Sequence, residues 1–76
     1  MQESVEYQHK AYRIFLEKRA SKKVAQTYFR FLRQGNSVKE DERRAKLVYE
    51  AITSKPNMTE EEMIAAIQKV EASLTD

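Results

Sequence analysis

Only two places in this chain carry residues that stop a helix outright, and each is followed at once by a sequence that starts one. The single glycine, in Gly35-Asn36, is succeeded by Ser37-Val38-Lys39-Glu40. The single proline, in Ser54-Lys55-Pro56-Asn57, is succeeded by Thr59-Glu60-Glu61-Glu62. Both successors are capping boxes, in which a Ser or Thr hydroxyl accepts the amide three residues on and the Glu reaches back. Gly35 is expected to end the preceding helix in the left-handed conformation, which costs glycine nothing. A helix is therefore predicted over about Val38–Thr53, with Ala45, Val48 and Ile52 on its apolar face and Leu47 and Ala51 widening it. A second is predicted over about Glu60–Ser73, with the stripe Met63, Ile67, Val70 and Leu74 and with Ile64 beside it. Met58 and Met63 are placed as a hydrophobic staple across its start. The acids Glu40–Glu42 and Glu60–Glu62 fall in first turns, where the helix dipole favours negative charge.

The N-terminal half has no such punctuation. Val5, Tyr12, Phe15 and Leu16 form one helical stripe, flanked by Tyr7, Ala11 and Ile14. Val24, Tyr28 and Phe31 form another, beside Ala25, Phe29 and Leu32. Between them stands Arg19-Ala20-Ser21-Lys22-Lys23. Ser21 would cap a new helix, but Lys22 and Lys23 would then sit in a first turn that disfavours cations by ~0.3–1 kcal/mol each. Two resolutions follow. A break near Ser21 gives four short helices; a continuous helix from about Ser4 to Arg33, ~45 Å long, would need a second subunit to cover it and implies a homodimer. The break is preferred. Internal repeats and low-complexity segments are absent.

At 76 residues the chain makes one domain, residues 1–76, with a thin core. The fold expected is all-α, a three- or four-helix antiparallel bundle with short loops. Its core is expected to be Tyr12, Phe15, Leu16, Val24, Tyr28, Phe31, Val48, Ile52, Met63, Ile67, Val70 and Leu74. No apolar run approaches the ~20 residues of a membrane span, and the opening MQESVEYQHK lacks the apolar core of a secretory signal. A cytoplasmic protein is the default expectation.

Chemistry is sparse. There is no cysteine, so neither a thiolate nucleophile nor a disulfide exists, and the one histidine, His9, reads as a surface residue. One glycine cannot build a phosphate-cradling loop. Consecutive carboxylates at 60–62 point about 100° apart on a helix and do not converge on one cation. No catalytic residue, cofactor or metal site is therefore expected, and the chain is read as a non-enzyme.

Charge is unevenly divided. Residues 1–34 carry eight Lys/Arg against Glu3, Glu6 and Glu17, a net of +5; residues 35–76 carry six against nine acids, a net of −3. Such asymmetry marks an acidic partner, complementarity within or between copies, or a merely solvated face. Six of the seven aromatic residues lie at or before position 31. Two adjacent stripes in residues 24–32 cannot both face one narrow interior, so either Phe29 with Leu32 is exposed for contact or this helix is central and buried all round. The main expectation is a protein-interaction module whose partner-binding residues are Phe29, Leu32, Lys18, Arg19, Lys22, Lys23, Arg30 and Arg33. The alternative is a small nucleic-acid-binding regulator using the basic segment 18–33. Residues 24–52 also follow the helix–turn–helix layout, but the helix end that would enter the groove is Glu40-Asp41-Glu42, which phosphates repel.

The run Glu42-Arg43-Arg44-Ala45-Lys46-Leu47-Val48-Tyr49-Glu50-Ala51-Ile52, then Met58-Thr59-Glu60-Glu61-Glu62 and Ile64-Ala65-Ala66-Ile67, resembles the last two helices of the pediocin-like bacteriocin immunity proteins. The resemblance covers about residues 42–67. It implies a small cytosolic four-helix bundle that protects a producing bacterium from its own membrane-active peptide. Such a protein acts at a membrane sugar-transporter receptor rather than by catalysis, and the likeness transfers no catalytic residue.

Overall fold

The structure, a computed structural model, describes residues 5–74. Glu3 and Ser4, which enter the charge count and the continuous-helix alternative, lie outside them, as does Asp76. Four helices make up the described residues, with no strand: α1 (Glu6–Glu17), α2 (Lys22–Leu32), α3 (Val38–Thr53) and α4 (Glu60–Leu74). The all-α bundle with short loops is thus the fold.

Local chemistry sets the two C-terminal helices where the sequence places them. Thr59 Oγ1 accepts the Glu62 amide at 3.1 Å while Glu62 Oε1 accepts the Thr59 amide at 3.0 Å, a complete reciprocal box. Ser37 is extended and its Oγ accepts the Glu40 amide at 3.1 Å. Glu40 does not close that box; its carboxylate lies 3.6 Å from Arg44 Nε and 3.9 Å from Arg43.

The N-terminal half is broken near Ser21, and the argument for a dimer that a continuous helix carried goes with it. The stop is a Schellman turn. Arg19 occupies the left-handed region at φ 52, the Ala20 amide bonds to the Phe15 carbonyl at 2.8 Å, and the Arg19 amide to the Leu16 carbonyl at 3.1 Å. Ser21 stands in the extended cap position of α2, but its hydroxyl makes no capping bond. Its own amide donates instead to Glu60 Oε1 at 3.0 Å, so α4 holds the start of α2. At the other end Gln34 bonds Glu71. These two links make α2 and α4 run in the same sense, as alternate helices do when the chain reverses at each loop.

Gly35 serves a different purpose from the one its residue type suggests. Its φ is not positive. A Cβ there would meet the Asp41 carboxylate, with Glu40 Cγ at 3.2 Å and the Leu32 carbonyl at 3.3 Å. The glycine lets the first turn of α3 press against the end of α2; it is chosen for close approach rather than for handedness.

The core consists of Ala11, Phe15, Val24, Tyr28, Phe31, Leu32, Ala45, Val48, Ile52, Met63 and Ile67, with Val70 and Leu74 half-buried against it. Two expected members are displaced. Tyr12 is 37% exposed and Leu16 60% exposed, because α1 presents the face one residue round, Ala11 and Phe15, with Tyr7 and Ile14 alongside. Its most extensive packing is on α3, and each of the two helices contributes a fully buried alanine, Ala11 and Ala45. Small side chains allow the axes to approach; on the α2 side Phe15 packs edge-on to Tyr28 with ring centres 5.1 Å apart. The fully buried Tyr28 places its hydroxyl on the Gln8 carbonyl at 3.1 Å, so its one polar atom is satisfied.

Candidate functional site: an aromatic and basic face on α1 and α2

The rotation of α1 that buries Phe15 leaves Tyr12 and Leu16 outside, one turn apart on the same face. On α2, Val24, Tyr28 and Phe31 turn inward and carry Phe29 round to the surface, where it is 40% exposed. The Tyr12 and Phe29 rings meet with centres 5.3 Å apart at 50°, and Phe29 also contacts Tyr28 at 5.2 Å. The exposed rings are thus propped from beneath by the core, which holds them in place. Among the described residues, three of the four large apolar side chains that remain exposed, Tyr12, Leu16 and Phe29, share this face; Val38 is the other.

Leu32 is a correction. It is only 5% exposed and belongs to the core, so Phe29 stands at the surface without it. Neither sequence alternative for α2 holds whole: the helix is neither buried all round nor exposed along the 25/29/32 stripe. Leu32 and Phe31 are both buried, and Ala25 is half-buried.

Cations are concentrated on the same two helices and the turn between them. Phe29, Arg30 and Arg33, with Gln26, line a shallow hollow of about 350 Å³. Lys22 lies on the same α2 face by the spacing 22, 26, 29, 33. Lys18 and Arg19 sit in the turn between α1 and α2, and Lys23 is exposed in the first turn of α2. Arg13 joins them beside Tyr12. Among the described residues none of these seven cations forms an ion pair; the pairs are Lys10–Glu6, Arg43–Glu40, Arg44–Glu40 and Lys55–Glu62. Sequence reasoning found Phe29 and the cations but missed Tyr12, Leu16 and Arg13 as surface residues. The flanking set Tyr7, Ala11 and Ile14 was the only signal that α1 had a second apolar side.

Several acids of the C-terminal half are bonded to other elements of the bundle instead. Glu42 on α3 accepts the Tyr7 and Gln8 amides at the start of α1, and Glu60 on α4 accepts the Ser21 amide before α2. Arg44 of α3 lies over the Phe31 ring, 5.0 Å from its centre, and donates to the Phe31 carbonyl at 3.1 Å. The first turn of α3 is thus acidic, and its Glu42 carboxylate is engaged by the start of α1.

Elsewhere, a hollow of about 560 Å³ between α3 and α4 is lined chiefly by Ala51, Met58, Ala65, Ala66 and Val70. Among the described residues no three His, Asp or Glu side chains are grouped to hold a metal ion, and His9 is exposed. No helix among them is long and apolar enough to cross a membrane.

Fold and face together define a small all-α bundle with an exposed aromatic patch on its two cation-rich helices. No protein-family model matches the chain, and neither curated proteins nor solved structures give a match.

Proposed function

We propose that the chain is a non-enzymatic protein-interaction module that binds through the Tyr12–Leu16–Phe29 face and the cations of the same two helices. The observation that carries this reading is the Tyr12–Phe29 contact at 5.3 Å. It gathers aromatic and aliphatic surface from two helices into one supported patch, where isolated exposed apolar residues would need no explanation. Fixed aromatic side chains bind at small entropic cost, and Arg is enriched beside them at protein interfaces. Leu16, the most exposed of the three, favours a protein over a base stack, since an aliphatic side chain offers no flat surface for a base.

The likeness of residues 42–67 to the pediocin-like bacteriocin immunity proteins supports a narrower version of the same reading, a cytoplasmic bundle that protects by binding. Expressing the chain in a bacteriocin-sensitive host tests that version; unchanged sensitivity removes it and leaves the general reading in place.

The general reading is tested with a photo-crosslinking amino acid at position 29 or 16, and with position 69 on α4 as the control, in the cell that makes the protein. Protein adducts are expected from 29 and 16 and not from 69. Adducts to nucleic acid alone, or none above the control, would overturn it.

A further inference from the structure

The face on α1 and α2 is one-sided in charge. Arg13, Lys18, Arg19, Lys22, Lys23, Arg30 and Arg33 lie on α1, α2 and the turn between them without an ion pair among the described residues, Arg30 and Arg33 lining a hollow with Phe29, and Glu17 at the end of α1 is the acid that stands nearest in sequence. Among the acids of α3 and α4, Glu42 and Glu60 are bonded to helix N-termini and Glu40 and Glu62 to other cations, none of them to these seven. The centre of the face is apolar, with Leu16 60% exposed and Tyr12 and Phe29 packed against each other. A ligand that covers it must therefore be apolar in the middle and negative at its margins.

Backbone chemistry narrows the ligand further. Helices satisfy their own amides and carbonyls, so α1 and α2 offer no row of backbone groups to an added strand. An extended peptide laid over Tyr12 and Phe29 would leave its own backbone unpaired against rings, which is costly. A helix brings its backbone already paired and presents apolar side chains at i, i+3, i+4 and i+7. Resting on the reading of this face as a protein-binding surface, we infer that its partner is an acidic amphipathic helix. The helix places its apolar stripe on Tyr12, Leu16 and Phe29 and its flanking Asp or Glu residues against Arg13, Lys22, Arg30 and Arg33. Binding of this kind is charge-steered, so it weakens with salt while the apolar contact persists.

The test uses the whole chain, labelled with nitrogen-15, and three synthetic peptides of about 18 residues, long enough to form helix on a surface. One carries Leu at helical spacing with Glu on both flanks. The second replaces every Glu by Lys, and the third breaks the first with two prolines. The Glu peptide is expected to move the amide signals of Tyr12, Leu16 and Phe29, with the Lys and proline peptides at least tenfold weaker. The exposed double variant Arg30→Glu, Arg33→Glu is expected to lose at least tenfold in affinity for the Glu peptide, and Phe29→Ser likewise, each with an unchanged helix signal in circular dichroism. Equal binding of the Glu and Lys peptides overturns the inference. So does mapping of the shifts to the α3–α4 hollow, tighter binding of an oligonucleotide to the same face, or a dimer in light scattering that protects Tyr12 and Phe29. Crosslinks from position 29 separate the two levels of the argument. Protein adducts on segments lacking acidic helical character remove this inference alone, while the absence of protein adducts removes the reading beneath it as well.

Discussion

The carboxylate of Glu42 takes the backbone amide of Tyr7 at 2.7 Å across 35 residues of sequence, and the Gln8 amide joins it at 3.0 Å. Val5, the residue at the cap position of α1, has no side chain that can accept a hydrogen bond. The amides that an Asp or Ser would ordinarily satisfy are therefore satisfied from α3. Glu60 accepts the amide of Ser21, the cap residue of α2, as the Glu of a capping box would. Two helices without a working side-chain cap of their own are thus started by the two helices that have one, and tertiary packing and helix initiation become a single event in this half of the molecule.

Replacing Glu42 tests that coupling. Glu42→Ala removes a charged acceptor from two half-buried amides and should destabilise the chain by about 1–2 kcal/mol, the upper range for loss of a cap. For a domain of this size each kcal/mol lowers Tm by roughly 4–8 °C. Glu60→Ala removes one exposed bond and should cost less. Urea unfolding of the two variants checks the order; an equal or reversed effect would place the start of α1 elsewhere.

Arg19 carries the opposite expectation. It stands at φ 52, where an L-residue other than Gly, Asn or Asp is strained by about 1–2 kcal/mol. Arg19→Gly relieves that strain, although the more flexible unfolded chain takes part of the gain back. A net stabilisation of about 0.5–1 kcal/mol is expected, read as a rise in Tm. Arg19→Val should lower it, since a β-branched side chain tolerates this region least.

These two residues also explain which boundaries could be read from the sequence. Ser37 and Thr59 act on amides three residues away, so the caps of α3 and α4 are written in the local sequence. Ser21 marks the break between α1 and α2 in the local sequence, but what fixes it is a left-handed arginine and a carboxylate 39 residues distant, as the start of α1 is fixed by a carboxylate 35 residues distant. Gly35 was recognisable as a terminator, but its closeness to Asp41 arises only once α3 has folded back. At the face, the cations and Phe29 were legible as residue types. The inward turn of Leu32 and the outward turn of Tyr12 and Leu16 were not. Adjacent helical stripes differ by about 100°, and only the packing of α1 on α3 decides which of them faces in.

Stability should fall at both ends of the pH range, for different reasons. The hydrogen bond from Lys55 and the amide of Thr59 hold the Glu62 carboxyl down, from about 4.5 to about 2. A depressed carboxyl contributes its full stabilisation above 4.5 and loses it as pH falls towards 2. Burial pushes the Tyr28 hydroxyl well above the usual phenol range, and the Glu42 carboxylate adds to it. That contribution is intact below pH 10 and is lost as pH climbs beyond it. Urea midpoints measured from pH 6 to pH 2.5 should fall, with a shallower fall in Glu62→Gln. In alkali, the ionisation of Tyr28 should coincide with loss of helix, and Tyr28→Phe should remove that coupled step.

The rotation of α1 makes the sharpest mutational contrast, because it separates two neighbouring residues of similar hydrophobicity. Phe15 is 2% exposed and packs edge-on to Tyr28, whereas Leu16, one residue later, is 60% exposed. Phe15→Ala should cost about 3–5 kcal/mol, the usual penalty for emptying an aromatic site in a core. In a thin bundle that is a large share of the total, so Tm should drop steeply or folding fail. Leu16→Ala touches a residue already in water and should change stability by no more than about 0.5 kcal/mol. Leu16→Ser extends the comparison to the face itself, since it removes an exposed apolar group without emptying any packed volume. Should the costs at positions 15 and 16 prove similar, α1 would be turned the other way, with Tyr12 and Leu16 inside. The aromatic face would then lose two of its three apolar members.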